Sequence, residues 1–479
     1  AAAAIRRGPA PGGVPGQHPV NPSPPGPSPQ RGPEPEPSSG PIAIRHSLLL
    51  AASTYGLGQI ANFLFQLRLL DQLGPSAYGA VGLAHLLLIT SIFLADLGYA
   101  SLFLRERGGS SEWERTWRYA LGHRLVATLL LLAAVMIGWM QWNDDEASRQ
   151  YLAGAAAACL FALFNYSSPM IVEGRRLGGL LVAQIAWPSA LVIWCLLQYA
   201  PPLSTSAAAG ISVSLGYLVQ ALVSVICSRR LRLWLPLAGK GQLGSAFHLS
   251  LLGVWGTLHD RLTPFLLAPL APTFLPFFLI LNHVLSGLSG VLAQFSRLLL
   301  PEAQERQGRR HILSAASLVC WGSTAVILSG LLLHGLELSS DQRQWLALSA
   351  IVLLAWGVSA SSGFLSILLI GARQERPLSR LLGVGLALSA LLQAGAAWIS
   401  DADYLLWARV LGLLAVLAGL LVLLKLRPSP WGMAALSLSV LACALGIWHW
   451  SMVIGLVLLL PTLAALWRRS SCYVEAPLR

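Results

Sequence analysis

The chain has 479 residues, of which 55% are hydrophobic and 11% charged, with a net charge of +12 and a mean hydropathy of +0.64. A soluble domain, about a quarter of whose residues are charged, has no use for so many consecutive apolar runs. This excludes a soluble globular enzyme, and it makes the positive charge a matter of membrane topology rather than of nucleic acid binding.

Residues 1–45 come first and are rich in Pro, Gly, Ser and Ala, as in Pro22-Ser23-Pro24-Pro25-Gly26-Pro27. Such a tract has too little apolar surface to offset the entropy of ordering it, so a disordered cytoplasmic tail is predicted. Arg6 and Arg7 precede prolines rather than an apolar core, which is not the pattern of a cleaved signal peptide.

Apolar runs then follow to the end of the chain, each near the roughly 20 residues that a helix needs to cross a bilayer. Fourteen are read, with twelve as the lower bound: 47–70, 77–104, 117–141, 150–172, 177–199, 208–227, 245–270, 273–300, 311–335, 345–370, 381–400, 402–424, 431–448 and 450–467. The last pair turns near Trp448-His449-Trp450. Outside the spans, Lys and Arg alternate strictly by side. Every one falls on the side of the N-terminal tail except Arg149 and Arg343. A missed span would scramble that pattern, so both termini are expected in the cytoplasm.

Spans one to six (46–230) and seven to twelve (245–427) make two six-helix lobes of similar length. A basic linker (231–244) joins them, and 428–479 adds a helical hairpin and a short tail. Two halves that start on the same side imply parallel repeats about an axis along the membrane normal, able to rock around a central cleft.

Polar residues at membrane depth are the candidates for that cleft. Tyr55, Gln59, Asn62 and Gln66 follow helical spacing along one face of span one, and Arg68 stands near its outer end. Span seven opens the second half with His248, Trp255, His259, Asp260 and Arg261. Arg261 lies too deep for a loop charge; a cavity role competes with a structural ion pair, for which the adjacent Asp260 is the less favoured partner. Asp96 in span two offers an ion or gating carboxylate, against capping or pairing with Arg105 and Arg107. Arg409 in span twelve either faces the cavity or snorkels to the interface, and Arg124 in span three is expected to snorkel. Asn165, Gln184, Asn282, His283 and Gln294 serve equally as interhelical glue. Arginines in a cleft favour a phosphate-bearing or acidic substrate, because the guanidinium fork matches phosphate oxygens and keeps its proton.

Other chemistry finds little support. The 6 cysteines include no CxxC pair and read as small packing residues, and no metal spacing is present. No GxxxxGK[ST] loop, His-Glu-x-x-His or Gly-x-Ser-x-Gly occurs, so a transporter rather than an enzyme is expected.

The stretch Leu67-Arg68-Leu69-Leu70-Asp71-Gln72-Leu73-Gly74-Pro75-Ser76-Ala77-Tyr78-Gly79, followed by Phe93-Leu94-Ala95-Asp96-Leu97-Gly98-Tyr99 and Leu104-Arg105-Glu106, resembles the opening of Wzx-type polysaccharide flippases. These belong to the multidrug/oligosaccharidyl-lipid/polysaccharide exporter (MOP) superfamily. Asp260 and Arg261 match the Asp-Arg pair of its seventh span, whereas Leu262-Thr263-Pro264 departs from the usual aliphatic run, and a proline there could bend the helix. The resemblance implies an all-α, polytopic bundle of MATE-like lobes in the bacterial inner membrane. It implies an undecaprenyl-pyrophosphate-linked oligosaccharide, flipped from the cytoplasmic to the periplasmic leaflet by alternating access. Arg68, Arg261 and Arg409 would meet pyrophosphate or acidic sugars; Gln59, Asn62, Gln66 and His259 would meet glycan hydroxyls. Asp96 and Asp260 are the only candidates for ion binding or gating, with a proton or sodium gradient as the energy source and no other cofactor. Membrane lipids and a glycan polymerase of the same pathway are the expected partners, nucleic acid is not, and O-antigen export is the expected context. A cation-coupled drug exporter of the same fold is the first alternative, an intramembrane polymerase or ligase the second.

Overall fold

With no water in the hydrocarbon core, each spanning segment must satisfy its own backbone, and helix is the form that does so within one segment. A computed structural model shows that outcome. It describes residues 41–105, 111–173, 175–197, 199, 203–300, 303–333, 338–446, 452–468 and 470–475. Of the tail predicted over 1–45, residues 41–45 are instead helical, and residues 1–40, like the turn near Trp448-His449-Trp450, lie outside the described residues.

The first two spans run as α1 (Pro41–Ala95), which is far too long for a single crossing. It is divided at Gly74, whose φ of 74° and ψ of 166° break the helical path, while Pro75 starts the next helix without needing an N–H donor. The short α2 (Tyr99–Arg105) completes span two after a break at Asp96, Leu97 and Gly98. Span three is α3 (Ser111–Trp142). Span four is broken into α4 (Glu146–Ala155), α5 (Ala157–Phe161), a 3₁₀ turn and α6 (Ser167–Val172). Span five bends by 42° between α7 (Arg176–Gln184) and α8 (Ala186–Leu197), and α9 (Thr205–Ser228) closes the first half.

The second half follows as α10 (Leu243–Leu270), α11 (Leu275–Leu299), α12 (Arg306–Leu333), α13 (Ser340–Gly371), α14 (Glu375–Trp398) and α15 (Ala402–Leu423). A three-residue antiparallel pairing joins β1 (Leu426–Pro428) to β2 (Tyr473–Glu475), around α16 (Pro430–Gly446) and α17 (Met452–Trp467). In their described residues, all fourteen predicted runs therefore fall mainly on helix. By length and composition, 9 helices among the described residues can cross a membrane, or 10 with the bent pair; α1 is counted once, α10 is not among them, and α16 and α17 are shorter.

The apolar core is divided by halves of the chain. One cluster joins Phe65, Leu88, Tyr151, Trp194 and Val213; a larger one joins Phe278, Trp321, Leu365, Leu406 and Leu420. Leu275 and Leu279 of α11 belong to the first-half cluster and bridge the two, because Gly79 and Gly82 of α1 leave sockets for their methyl groups. A third, aromatic cluster of Tyr99, Phe103, Trp113, Trp117 and Tyr166 fastens span two to spans three and four. The basic linker packs into it through Leu233 and Trp234, and the Leu237 N–H donates to the Arg118 carbonyl at 3.0 Å. Near it, Gly98 (φ 81°) lies against the Ala246 backbone of α10, where no Cβ fits.

Candidate functional site

Where spans one, two, seven, eight and eleven meet, the polar groups of the two halves face each other. On α1, Tyr55 and Gln59 pack over Gly290 and Gly287 of α11, so these two members of the span-one face do point at the second half. Asn62 is partly buried, with its Oδ1 lacking a hydrogen-bond partner. Gln66 is fully buried and turned into its own half, where the Tyr78 hydroxyl donates to its Oε1 at 3.2 Å and its Nε2 stays unsatisfied.

Arg261 is set by α10, which stays helical from Leu243 to Leu270 in spite of Pro264 and Pro269. Pro264 has no N–H to offer the carbonyl of Asp260, four residues earlier, so the helix ladder is open beside the Asp-Arg pair. Arg261 helps to line a cavity of about 400 Å³ with Leu87 and Thr90 of span two, Trp255 and His259 of span seven, and Leu386 of span eleven. Its walls are mainly aliphatic and aromatic with a few polar groups, the usual make-up of a ligand cavity. Among the described residues Arg261 has no ion-pair partner, and its buried Nε has no hydrogen-bond acceptor.

The charge of Arg261 reaches two histidines across the seam, His85 of span two and His283 of span eight. Their ring centroids are 5.9 Å apart, and His85 Nδ1 lies 2.6 Å from the Tyr151 hydroxyl of span four. Trp187 of span five covers the edge of the His85 ring at 5.4 Å. His85 and Tyr151 were not singled out from the sequence, although an ionisable residue inside the run Ala84-His85-Leu86 was signal enough to flag His85.

The other expected site residues go elsewhere. Arg409 is buried and donates to Asp260 Oδ1 at 2.8 Å, so it neither snorkels nor joins Arg261 at the cavity; Asp260 does have an arginine partner, but it is this one. His259 lines the cavity yet is 4% exposed, with Nε2 at 2.7 Å from the Ser389 hydroxyl and 3.2 Å from Gln393 Nε2. Thr263 donates to Gln393 Oε1 at 2.8 Å and completes that network between spans seven and eleven. Arg68 is exposed and is not among the residues lining the Arg261 cavity. Asp96 accepts from the Ala100 N–H at 3.0 Å and pairs with Arg124. It is thus the cap at the span-two break and has Arg124 as an ion-pair partner, while Arg107 and the side chain of Arg105, the partners expected for it, lie outside the described residues. Arg124, correspondingly, is buried rather than snorkelling.

Both candidate carboxylates therefore already carry an arginine, while Arg261 at the seam has no carboxylate at ion-pair distance among the described residues. Among the described residues no group of three His, Cys, Asp or Glu side chains is placed to hold a metal ion.

No family model and no curated protein matches the sequence. Solved structures do match in three dimensions. The lipid II flippase MurJ in an inward closed conformation aligns with a TM-score of 0.56 at 10% identity, over 89% of this chain and 99% of that one. The fold is the MOP transporter fold. An inward-facing multidrug resistance MATE family transporter of the MOP superfamily aligns at 0.57 with 13% identity, over 82% of this chain and 95% of its own. A MOP superfamily transporter from Pyrococcus furiosus aligns at 0.55 with 14% identity, over 88% and 97%. A MOP fold built on helices of this apolarity is a multi-pass membrane protein.

Proposed function

We propose that the protein is a Wzx-type flippase that carries a polyprenyl-pyrophosphate-linked oligosaccharide across the inner membrane, from the cytoplasmic to the periplasmic leaflet. The observation that carries this reading is Arg261: a guanidinium at the seam between halves that, among the described residues, has no carboxylate at ion-pair distance, with His85 and His283 within reach of its charge. Leaving a charge unpaired at membrane depth costs several kcal/mol, a cost that an incoming pyrophosphate offsets. The fork of donors suits that anion. Similarity in fold to a lipid II flippase supports a lipid-linked substrate.

The mechanism follows from the seam. Opened to the cytoplasmic side, the halves expose Arg261 and the histidines to the pyrophosphate, with Gln59 and Asn62 nearby for sugar hydroxyls. The polyprenyl tail stays in the bilayer. Neutralising Arg261 removes an unpaired charge from the seam, which lets the halves close behind the headgroup and reopen on the far side. The drug-exporter alternative needs an available acidic residue, and both candidates are held by arginines.

The deciding experiment is translocation of a fluorescent prenyl-pyrophosphate saccharide in proteoliposomes, read by quenching from one leaflet. Transport by the wild type and its loss in Arg261→Ala support the reading. Transport of a lipophilic cation with no movement of the glycolipid overturns it, as does elongation of the glycan, which would make the protein an enzyme.

A further inference from the structure

A second strongly charged region lies at the start of α12, remote in sequence from the seam residues. Arg306, Arg309 and Arg310 stand on its first turns and, with Ser314, Ser471 and Tyr473, line a cavity of about 640 Å³. One wall is the segment Ser470–Glu475, and it is firmly held. The Cys472 N–H donates to Ser317 Oγ at 2.9 Å, the Trp321 indole donates to the Ser470 carbonyl at 3.1 Å, and the Ser429 N–H donates to the Cys472 carbonyl at 2.8 Å. The same segment separates this basic cavity from an apolar one of about 260 Å³, walled by Leu354, Leu417, Met433 and Leu436. Tyr473 belongs to both cavities.

The charges here run against local electrostatics. The first turn of α12 has no acidic residue, and its free N–H groups already make that end positive. Arg306 and Arg310 are exposed, and among the described residues neither has an ion-pair partner. Such an arrangement is stabilised by an anion, and planar guanidinium groups converging on one cavity select oxyanions of phosphate geometry. At the end of a spanning helix, with an apolar cavity one residue away, the phosphate most readily supplied is a lipid headgroup.

We propose that this is a binding site for an anionic phospholipid. The phosphate diester rests on Arg306 and Arg310 with the Ser314 hydroxyl beside it, and an acyl chain passes Tyr473 towards the apolar cavity. The site is independent of the transport reading, since it shares no residue with the seam.

The test uses the full-length chain in detergent, titrated with fluorescent phosphatidylglycerol, with phosphatidylcholine of the same chains, and with glycerol 3-phosphate as competitor. Phosphatidylglycerol is expected to bind about tenfold more tightly than phosphatidylcholine, and Arg306→Ala/Arg310→Ala to weaken it by about tenfold or more. The charge-matched pair Arg229→Ala/Arg232→Ala, exposed in the linker region, is expected to leave it unchanged. Met433→Trp, which fills the apolar cavity, is expected to weaken long-chain phosphatidylglycerol and spare a short-chain analogue. The proposal is overturned if the arginine pair binds like the wild type, if the control pair loses as much, or if Met433→Trp changes nothing. Displacement of the lipid by equimolar glycerol 3-phosphate also overturns it, and reassigns the cavity to a soluble phosphate.

Discussion

Two neighbouring residues of span seven have opposite fates. Asp260 is tied to Arg409 from span twelve, and Arg261 is left to the seam. For Arg261→Ala we expect translocation to fall by about tenfold or more with insertion intact, equivalent to losing more than about 1.4 kcal/mol of differential binding. Arg261→Lys keeps a point charge without the fork and should fall between the two. The Arg409 pair predicts a different signature. Removing one partner of a buried ion pair costs about 3–5 kcal/mol, whereas replacing both by apolar residues of similar size is often near neutral. Arg409→Met and Asp260→Leu should each lower the unfolding temperature in detergent, and the double variant should recover most of the loss. Additive losses in that cycle would show that the two do not act as a pair. The sequence made the depth of Arg261 legible, because hydropathy marks charges in apolar runs. The identity of the partners was not, since Asp260 and Arg409 are 149 residues apart and no local pattern couples them. For Asp96 the capping and pairing role was readable from its place near the end of a span, while the choice of Arg124 depended on how α3 packs.

Among the elements, α1 shows how little a span boundary needs. Gly74 alone takes a positive φ, and Pro75 begins the second helix. Gly74→Ala forces an L side chain into that region and should cost about 1–2 kcal/mol, seen as a lower unfolding temperature, whereas Gly74→Asn should cost less. The motif Leu73-Gly74-Pro75 was readable as a turn for this reason. Span seven shows the converse. Its Pro264 opens the hydrogen-bond ladder, yet α10 stays helical through it, with Thr263 and His259 fastened to Gln393 and Ser389 of span eleven. Tertiary bonds hold a helix that local propensity alone would break. On the facing helix, Gly290 leaves the space that Tyr55 fills. Gly290→Leu should displace Tyr55 and reduce translocation, while Leu288→Ala on an exposed face of the same helix should not.

For the whole molecule, the all-helical build was legible from the length of the apolar runs, whereas 9 or 10 helices among the described residues pass as spans against the fourteen expected. Which helices meet across the halves was not legible, because the contacts are made by glycines, whose significance is visible only when the neighbour that fills the gap is known. The geometry gives one global prediction. In a cysteine-free background, thiol cross-linking of Gln59→Cys to Gly287→Cys joins span one to span eight and should arrest transport. Cross-linking Gln66→Cys to Tyr78→Cys within the first half should leave it running if rigid halves move against each other. Equal transport in both would mean that the halves do not part there.

The sockets at Gly79 and Gly82 have a consequence for how such a parting is possible at all. In water, withdrawing Leu275 and Leu279 from their seats would expose greasy surface and be resisted; within a bilayer the surrounding hydrocarbon is an equally good solvent for it. Only close-range dispersion holds that junction, and an acyl chain of the surrounding bilayer can replace each lost contact as the helices separate, so the membrane itself can lower the cost of the parting.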